Sequence, residues 1–308
     1  EVFGFDFTLV LWYNMSMITD KQLKGQYFTT TNPFVGDAWI LWNSLRTPGP
    51  ILEPFAGAGN LFNYVEGTWI GYDIEPQHPD VKQRDTLTAF PKGFSTCITN
   101  PPYLAKNAAT RKKVEVSMKY EDLYLDCLEK CLDNCEWVAA IIPATFYRTK
   151  KFADRLVAWD KIDYQLFQDT DAPVGVAYFG PESYSTNLYV NGEQIVDWIP
   201  EKKIDLKFNV AEGNYVMCGI DKTYGDSIEI KENGEWFDRD KYLKNTSRNY
   251  VLFYSPVPLN IDHTNTNINN WRFTTKDFYL TPFKSMQTTG KYRKRLSFNE
   301  LERLVVIT

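Results

Sequence analysis

The residues with the clearest chemical signature are Asn100-Pro101-Pro102-Tyr103, which follow an apolar run at positions 94–98. Asn100 and Pro101 each precede a proline, so both are held in extended backbone geometry. The prolines have a fixed φ and no N–H, so the loop offers carbonyl acceptors and few backbone donors. The Asn100 amide adds one more acceptor, and Tyr103 adds a flat aromatic face. Such a loop suits an amino group attached to a planar ring.

A second feature is the glycine turn Gly57-Ala58-Gly59, between a predicted strand that begins at Ile51 and a predicted helix over 61–65. Two glycines let the backbone approach a ligand closely, beside the free N–H groups at the amino end of a helix. A plain tight turn explains the GxG pattern about as well, because that pattern alone is weakly specific.

An acidic residue follows each of the next two predicted strands. Asp73 ends the strand at 68–74, about fifteen residues after the glycines, where an acid in a nucleotide-binding βαβ unit accepts from ribose hydroxyls. A surface or turn carboxylate is the alternative reading of Asp73. Asp85 closes the third unit, where it could hold an adenine amino group or cap the following turn.

The elements that must position these residues alternate between strands and helices. The pattern predicts helices over 37–45, 120–132 and 152–159, and strands over 137–142, 164–167 and 174–179. In the first helix, Asp37 is the predicted cap and Ala38, Ile40, Leu41 and Leu45 form the predicted apolar side. The alternation predicts an α/β fold with a doubly wound, mostly parallel sheet that binds ligands at its carboxyl edge. Glu53, Asp73, Asp85 and Asn100 would meet at that edge.

Composition narrows the class of protein. With 308 residues the chain can hold two domains, and its net charge of −5 means that a nucleic-acid partner would need a local basic face. Five cysteines suggest free thiols in a reducing compartment. Cys127, Cys131 and Cys135 recur at helical spacing, which favours a buried helix face over a metal site. The sequence predicts no metal site and no membrane span.

The two ends of the chain differ from the middle. Residues 1–16 are aromatic and apolar and lack a basic leader. They are predicted to be a non-native N-terminal extension, and an added edge strand is the alternative. Beyond Pro181 the segments become short and loop-rich, acidic over 182–238 and basic with interleaved aromatics over 239–295. Such a surface can hold phosphates and read base edges. The predicted DNA-binding residues are Lys291, Arg293, Lys294 and Arg295.

The ordered set Phe55-x-Gly57-x-Gly59, Asp73, Asp85 and Asn100-Pro101-Pro102-Tyr103 resembles the S-adenosylmethionine-dependent amino methyltransferases. The order of glycine motif, NPPY and long C-terminal region resembles the γ group of DNA adenine-N6 methyltransferases. The segment 25–29 is similar to the N-terminal cofactor motif of that group, and 142–146 to its post-catalytic strand. The resemblance covers residues 24–179, a little over half of the chain.

The resemblance implies an architecture and a function. It implies an S-adenosylmethionine-binding catalytic domain over 17–180, with a seven-stranded sheet, and an α+β, loop-rich DNA recognition domain over 181–308. The implied reaction is methyl transfer from S-adenosylmethionine to the N6 amino group of a flipped-out adenine in double-stranded DNA. A restriction–modification or phage system, a cognate restriction endonuclease as partner and a cytoplasmic, DNA-associated location are further expectations.

Carried over residue by residue, the resemblance implies two adjoining sites. The cofactor residues would be Tyr27, Thr29, Glu53, Pro54, Phe55, Ala56, Gly57, Gly59, Asp73, Ile74, Asp85 and Thr86. Within this set, Thr29 and Glu53 would contact the methionine end, Asp73 the ribose and Asp85 the adenine amino group. The catalytic residues would be Asn100, Pro101, Pro102 and Tyr103. Tyr103 would also stack on the target base, with Phe179, or Tyr178 in its place, as the second aromatic.

Three alternatives stay open. NPPY also occurs in methyltransferases that act on a protein glutamine amide, another planar amino group, although those usually place their extra domain before the glycine motif. Adenine in structured RNA is a second possible target, which the basic C-terminal segment does not exclude. A non-catalytic DNA-recognition subunit is the third alternative, and the intact residues 100–103 argue against it.

Overall fold

The computed structural model of this chain describes residues 27, 29–112, 116–168, 170, 172–244 and 249–308. The predicted extension at 1–16 and all of the 25–29 motif except Tyr27 and Thr29 lie outside the described residues. Within the described ranges, no helix is long and apolar enough to cross a membrane. The same ranges contain no group of three or more His, Cys, Asp or Glu side chains that could hold a metal ion.

The described elements begin with those of the larger sheet and its helices. In chain order they are α1 (Gly36–Leu45), β1 (Ile51–Glu53), a 3-10 helix (Asn60–Asn63), β2 (Trp69–Asp73), β3 (Val81–Gln83), β4 (Thr96–Thr99), α2 (Lys106–Lys112), α3 (Leu123–Asn134), β5 (Trp137–Pro143), a second 3-10 helix (Phe146–Thr149), β6 (Leu156–Lys161), β7 (Val174–Phe179), β8 (Asn187–Val190) and β9 (Glu193–Gln194).

These nine strands form one sheet in the order β3-β2-β1-β4-β5-β7-β6-β8-β9. Strands β1 to β5 run parallel to one another, whereas β7 runs antiparallel to both β5 and β6. The fold is therefore a mixed α/β structure with a large, mostly parallel sheet, as the alternating pattern predicts. The sheet contains two strands more than the predicted seven, and it continues past the predicted boundary at residue 180 because β8 pairs with β6.

The segment before β7 differs from its prediction. Residues 151–155 form turns and 156–161 form strand β6, where the pattern predicts a helix over 152–159. All of β6 except Val157 is buried, and a short apolar run of this kind cannot be distinguished from a helix by periodicity. Among the described residues, the predicted strand 164–167 makes two isolated bridges, which join Tyr164 to Lys291 and Phe167 to Thr29.

Helix α1 faces the core with a different side from the predicted one. Ala38 and Trp42 are buried, while Ile40 and Leu41 are exposed, as is Leu45. The predicted cap is also wrong: Asp37 lies in the first turn, and the position before the helix makes no side-chain cap. The Gly192 carbonyl accepts instead from the Asp37 N–H, at 2.8 Å. A neighbouring turn of the sheet therefore supplies the cap.

The sheet is covered by apolar side chains on both faces. One face packs against α3, including Leu128 and Cys131, and the other packs against α1 around Trp42. Cys127, Cys131 and Cys135 are buried free thiols, which confirms the buried-helix-face interpretation. The glycine turn leads into a single 3-10 turn, Asn60–Asn63, and not into the predicted α-helix.

The C-terminal region forms a second, smaller sheet with its own core. Its elements are β10 (Lys207–Phe208), β11 (Tyr215–Cys218), β12 (Glu229–Glu232), α4 (Arg239–Lys244), β13 (Tyr250–Tyr254), α5 (Ile261–Thr274), β14 (Thr281–Met286), β15 (Tyr292–Arg295) and α6 (Phe298–Leu304). Strands β10-β13-β11-β12 form an antiparallel sheet, and β14 and β15 form a separate hairpin. Helix α6 begins with a capping box between Ser297 and Glu300.

Two buried lysines join the C-terminal region to the first sheet. Lys161, at the end of β6, donates to the carbonyls of Asp277, Phe278 and Leu280 at 2.8–2.9 Å. Lys294 in β15 pairs with Asp163, just beyond β6. Because β6 runs parallel to β5, these contacts lie at the same edge of the sheet as Asn100.

Candidate active site

A cleft with a cavity volume of about 330 Å³ lies at the carboxyl ends of β1 to β4. The four polar residues that close successive units, Glu53, Asp73, Asp85 and Asn100, all line it. The other predicted site residues in its wall are Tyr27, Thr29, Phe55, Ala56, Gly57, Ile74, Thr86 and Pro102. The strand topology thus brings together residues that are distant in the sequence.

The glycine turn is fastened to Asp73. Gly57 and Gly59 have φ values of 50° and 71°, in the left-handed region that glycine adopts without strain. The Gly57 N–H donates to Asp73 Oδ2 at 2.8 Å, and the Glu75 N–H donates to Asp73 Oδ1 at 2.8 Å. One buried carboxylate therefore fixes both the turn and the loop after β2, while still facing the cleft.

Glu53 is the most unusual group in the cleft. Its side chain is 1% exposed, and its Oε1 accepts from the Thr99 hydroxyl at 2.7 Å. Its other oxygen, Oε2, is buried and has no hydrogen-bond partner among the described residues. Burial raises the pKa of Glu53 to about 8, because it disfavours the charged form. A buried oxygen without a partner, in the wall of a cleft, indicates a place for a ligand donor.

Asp85 performs the capping role that the sequence left open for it. Its Oδ1 accepts from the N–H groups of Leu87 and Thr88, at 3.0 and 3.3 Å. The neighbouring Thr86 hydroxyl donates to the Pro54 carbonyl at 2.9 Å, which ties this loop to the loop after β1. Asp85 lines the cleft as well, so capping the turn positions its carboxylate there.

The Asn100 carboxamide is held in one orientation. Its Nδ2 donates to the Tyr27 carbonyl at 2.8 Å and approaches the Thr29 hydroxyl at 3.3 Å. Its Oδ1 lies 2.8 Å from the Tyr103 hydroxyl. Since the amide hydrogens point to the segment at Tyr27, the oxygen is left as the acceptor for other groups.

Five of the predicted cofactor, catalytic and stacking residues are not part of the cleft wall: Pro54, Gly59, Pro101, Tyr103 and Phe179. The Tyr103 ring is turned inward and packs against Tyr27, Tyr124 and Phe167, with ring centres 5.8–6.3 Å apart. Phe179 is fully buried and packs against Phe146, so it presents no face to the cleft. Its predicted place against a target base does not agree with this burial.

Two of the predicted DNA-binding cations are committed to internal partners. Lys294 is 1% exposed and pairs with Asp163, which excludes it as a surface phosphate contact in this structure. The Arg293 guanidinium donates to the Asp221 carbonyl and the Ser285 hydroxyl. Lys291 and Arg295 are exposed. Sequence gives the charge of a side chain but not the partner that folding brings to it.

Sequence reasoning also missed part of the cleft wall. The additional lining residues are Asn60, Leu61, Glu75, Gln77, Arg84, Leu87, Leu104, Val116 and Leu123. Asn60 has a structural role there, because its Nδ2 donates to the Thr29 carbonyl at 3.0 Å. Their positions in the sequence could have indicated some of these lining residues, because Glu75 and Gln77 closely follow β2 and Asn60 follows the glycine turn.

No protein-family model matches this chain, and no curated protein matches it significantly. The solved structures similar to it include the methyltransferase subunit of a type I restriction-modification system from Streptococcus thermophilus (12% identity, TM-score 0.38, 56% of this chain and 50% of that chain). The type I restriction enzyme EcoKI M protein (13%, 0.37, 59% and 51%) and the type IIG restriction endonuclease BpuSI (17%, 0.36, 54% and 27%) are others. This chain spans about half the length of the first two. Likeness of this degree does not identify a function.

Proposed function

We propose that this protein is a DNA methyltransferase that transfers a methyl group from S-adenosylmethionine to the N6 amino group of adenine. One observation carries the proposal: the Asn100 carboxamide is oriented in the same cleft as Glu53, a buried carboxyl whose Oε2 has no hydrogen-bond partner within the described ranges. Thr99, the residue before Asn100, donates to the other Glu53 oxygen. The acceptor for a target amine therefore belongs to the residue directly after Thr99, whose hydroxyl contacts the acceptor for a cationic ligand.

The residues present fit S-adenosylmethionine. Glu53 Oε2 would accept from the ammonium of its methionine part, which would relieve the burial of an unpartnered oxygen. Asp73 would accept from the ribose hydroxyls, and Asp85 from the adenine amino group. When bound, S-adenosylmethionine supplies an electrophilic methyl group on a sulfonium centre.

The residues of this chain would prepare the target amine. The lone pair of an adenine amino group is delocalised into the ring, so the amine is a poor nucleophile. Asn100 Oδ1 and the Pro101 carbonyl would accept its two hydrogens and direct the lone pair toward the methyl donor. Both acceptors are preorganised, Asn100 by Tyr27 and Pro101 by its ring, so the effect is electrostatic and positional.

No general base is needed before attack, since the product releases its extra proton afterwards. The two histidines, His78 and His263, lie outside the cleft wall. The target atom is unreachable inside a duplex, so the base must leave the stack at a cost of a few kcal/mol. On this proposal double-stranded DNA is the partner, and a cognate restriction endonuclease is expected alongside it.

The test is methyl transfer from labelled S-adenosylmethionine to DNA, to RNA and to protein, followed by digestion and mass analysis. N6-methyladenine in DNA is the expected product. A labelled glutamine or RNA adenine would replace the proposal with one of the alternatives, and no product on any substrate would favour a non-catalytic subunit.

Asn100→Ala should abolish transfer while S-adenosylhomocysteine still binds in calorimetry. Asn107→Ala, which alters an exposed asparagine of α2, is the matched control and should keep full activity. Undiminished DNA labelling by Asn100→Ala would reject the role of the carboxamide.

A further inference from the structure

Two turns of the C-terminal region lie side by side. The first is 222–225, closed by a bridge between Lys222 and Gly225, and the second is 287–291, which connects β14 to β15. The Thr288 N–H donates to the Thr223 carbonyl at 2.8 Å, which joins the two. These two segments are called the paired turns below.

The paired turns are connected to the edge of the sheet that carries the cleft. Lys291 forms a backbone bridge with Tyr164, which follows β6. Three residues later, Phe167 packs against Tyr103, with ring centres 6.3 Å apart. Since β6 and β4 end at the same edge, the paired turns lie on the cleft side of the molecule.

The outer surface of the paired turns is cationic, aromatic and hydroxyl-rich. Lys222, Thr223, Thr288, Thr289 and Lys291 are exposed. Tyr224 is 68% exposed, and the Lys222 ammonium lies 5.6 Å from its ring centre. The Tyr224 ring therefore presents an apolar face and a polar hydroxyl beside a cation on the outer surface.

The acid nearest to this surface is already paired. Asp226 follows the first turn directly and lies 3.0 Å from the Arg272 guanidinium. The same oxygen of Asp226 accepts from the Gln287 amide at 3.1 Å. The Arg272 guanidinium also pairs with two other carboxylates, and the Asp226 side chain is 65% exposed, so Asp226 remains a negative charge beside the turns. The two exposed lysines outnumber it on the outer surface.

The base of the paired turns is rigid. Asp221, which is fully buried, receives two hydrogen bonds from the Arg272 guanidinium at 2.8 and 2.9 Å. It also accepts from the Ser227 N–H, and the Ser227 hydroxyl accepts from the Lys222 N–H, each at 2.8–2.9 Å. A preorganised turn loses little conformational freedom when it binds, so its exposed side chains are suited to recognition.

We propose that the paired turns hold the sugar–phosphate backbone of a DNA duplex beside the cleft, with Lys222 and Lys291 on phosphates and Tyr224 against the groove. The choice of DNA rests on the proposed function, which places a base in the adjoining cleft. Two exposed cations on adjoining, hydroxyl-bearing turns suit phosphate oxygens, and most protein–DNA hydrogen bonds go to phosphate and sugar. An acidic polypeptide is the competing partner for such a surface.

The test is fluorescence anisotropy of the full chain with a labelled mixed-sequence DNA duplex, over a series of salt concentrations. Removing two phosphate contacts in Lys222→Gln/Lys291→Gln should reduce the slope of log affinity against log salt by about 2. Tyr224→Ala should weaken binding several-fold and leave that slope unchanged. The matched control, Lys202→Gln/Lys207→Gln, removes two exposed lysines near β10 and should bind like the original protein.

An unchanged slope in Lys222→Gln/Lys291→Gln would overturn the inference, as would equal losses in the control. Competition by polyglutamate as effective as that by duplex DNA would assign the surface to an acidic polypeptide. Methyl transfer measured in parallel separates this inference from the proposed function. If DNA is methylated but the turns do not matter, only the inference fails; if the turns bind DNA and no methyladenine forms, only the function fails.

Discussion

The hydroxyl oxygen of Tyr103 lies 2.8 Å from Asn100 Oδ1 and 2.7 Å from the Ile141 carbonyl oxygen. A hydroxyl has one hydrogen, so it can donate to only one of these acceptors at a time. Burial raises the pKa of Tyr103 well above its usual value, so that hydrogen is retained at neutral pH. Tyr103 therefore contacts the atom proposed to accept the target amine.

Tyr103→Phe tests whether this hydroxyl positions Asn100. Loss of one hydrogen bond worth about 0.5–1.5 kcal/mol should lower kcat by roughly 3- to 10-fold. Cofactor affinity should not change, because the hydroxyl does not line the cleft. Methyl-transfer assays measure kcat, and calorimetry measures the cofactor affinity. A role in stacking alone predicts that Phe replaces Tyr without loss.

Glu53→Gln should affect the stability of the fold and the affinity for S-adenosylmethionine in opposite directions. Burial raises the pKa of Glu53 to about 8 from its ordinary 4.5, so between these pH values the folded protein holds a proton that the unfolded chain has released. Stability contributed by this group therefore falls as pH rises from 4.5 to 8. Gln mimics the protonated carboxyl and does not titrate. We expect equal Tm at the acidic end of this window and a Tm several degrees higher for Glu53→Gln at its basic end.

The same variant should bind S-adenosylmethionine at least about 10-fold more weakly, because an ammonium loses its charged acceptor. The original protein should bind more tightly as pH rises toward 8, since binding requires the carboxylate. Calorimetry over that range checks both statements. A Glu53→Gln protein with lower Tm at every pH would contradict the raised pKa.

The cleft was predictable because it follows from strand ends. Apolar runs that stop at Glu53, Asp73 and Asn100 are local features, and parallel topology brings such ends to one edge. The inward position of Tyr103 was not predictable, because its partners include Ile141 and Phe167, which are far along the chain. Local patterns do not encode such partners.

The exposed cations of the C-terminal region could not be predicted from local sequence either. Lys294 is one of four cations within residues 291–295, yet it pairs with Asp163, which is 131 residues away in the chain. Lys222 lies in the segment that the sequence describes as mainly acidic, yet its exposed position beside Tyr224 emerges only from the turn. Composition over a window therefore predicts a basic region without identifying its exposed members.

Variants of Phe179 test whether its ring stacks on a target base or only packs in the core. Because its ring is fully buried beside Phe146, Phe179→Ala should lower the free energy of unfolding by about 3–5 kcal/mol. Phe179→Leu should restore most of the stability, and its folded protein should keep the KM for DNA. Urea unfolding and steady-state kinetics provide the measurements. A higher KM for DNA in a fully stable Phe179→Leu protein would show that the ring reaches the target base.

Lys161→Met tests the contact between the first sheet and the C-terminal region. Burial lowers the pKa of Lys161 to about 7, yet three carbonyl acceptors use the three hydrogens of its ammonium form. Met has a similar length and no donor, so three carbonyls would lose their partner at once. We expect unfolding to cost roughly 2–5 kcal/mol less, with the C-terminal region released at lower urea concentration.

Lys202→Met, at an exposed position, is the matched control and should stay within about 0.5 kcal/mol of the original protein. Tryptophan fluorescence and methyl transfer, followed together through the urea titration, distinguish the outcomes. If Lys161 holds the C-terminal region against the edge that carries Asn100, the proposed DNA methylation should disappear before the first sheet unfolds. A single transition at the original midpoint would show that the two sheets stay together without this lysine.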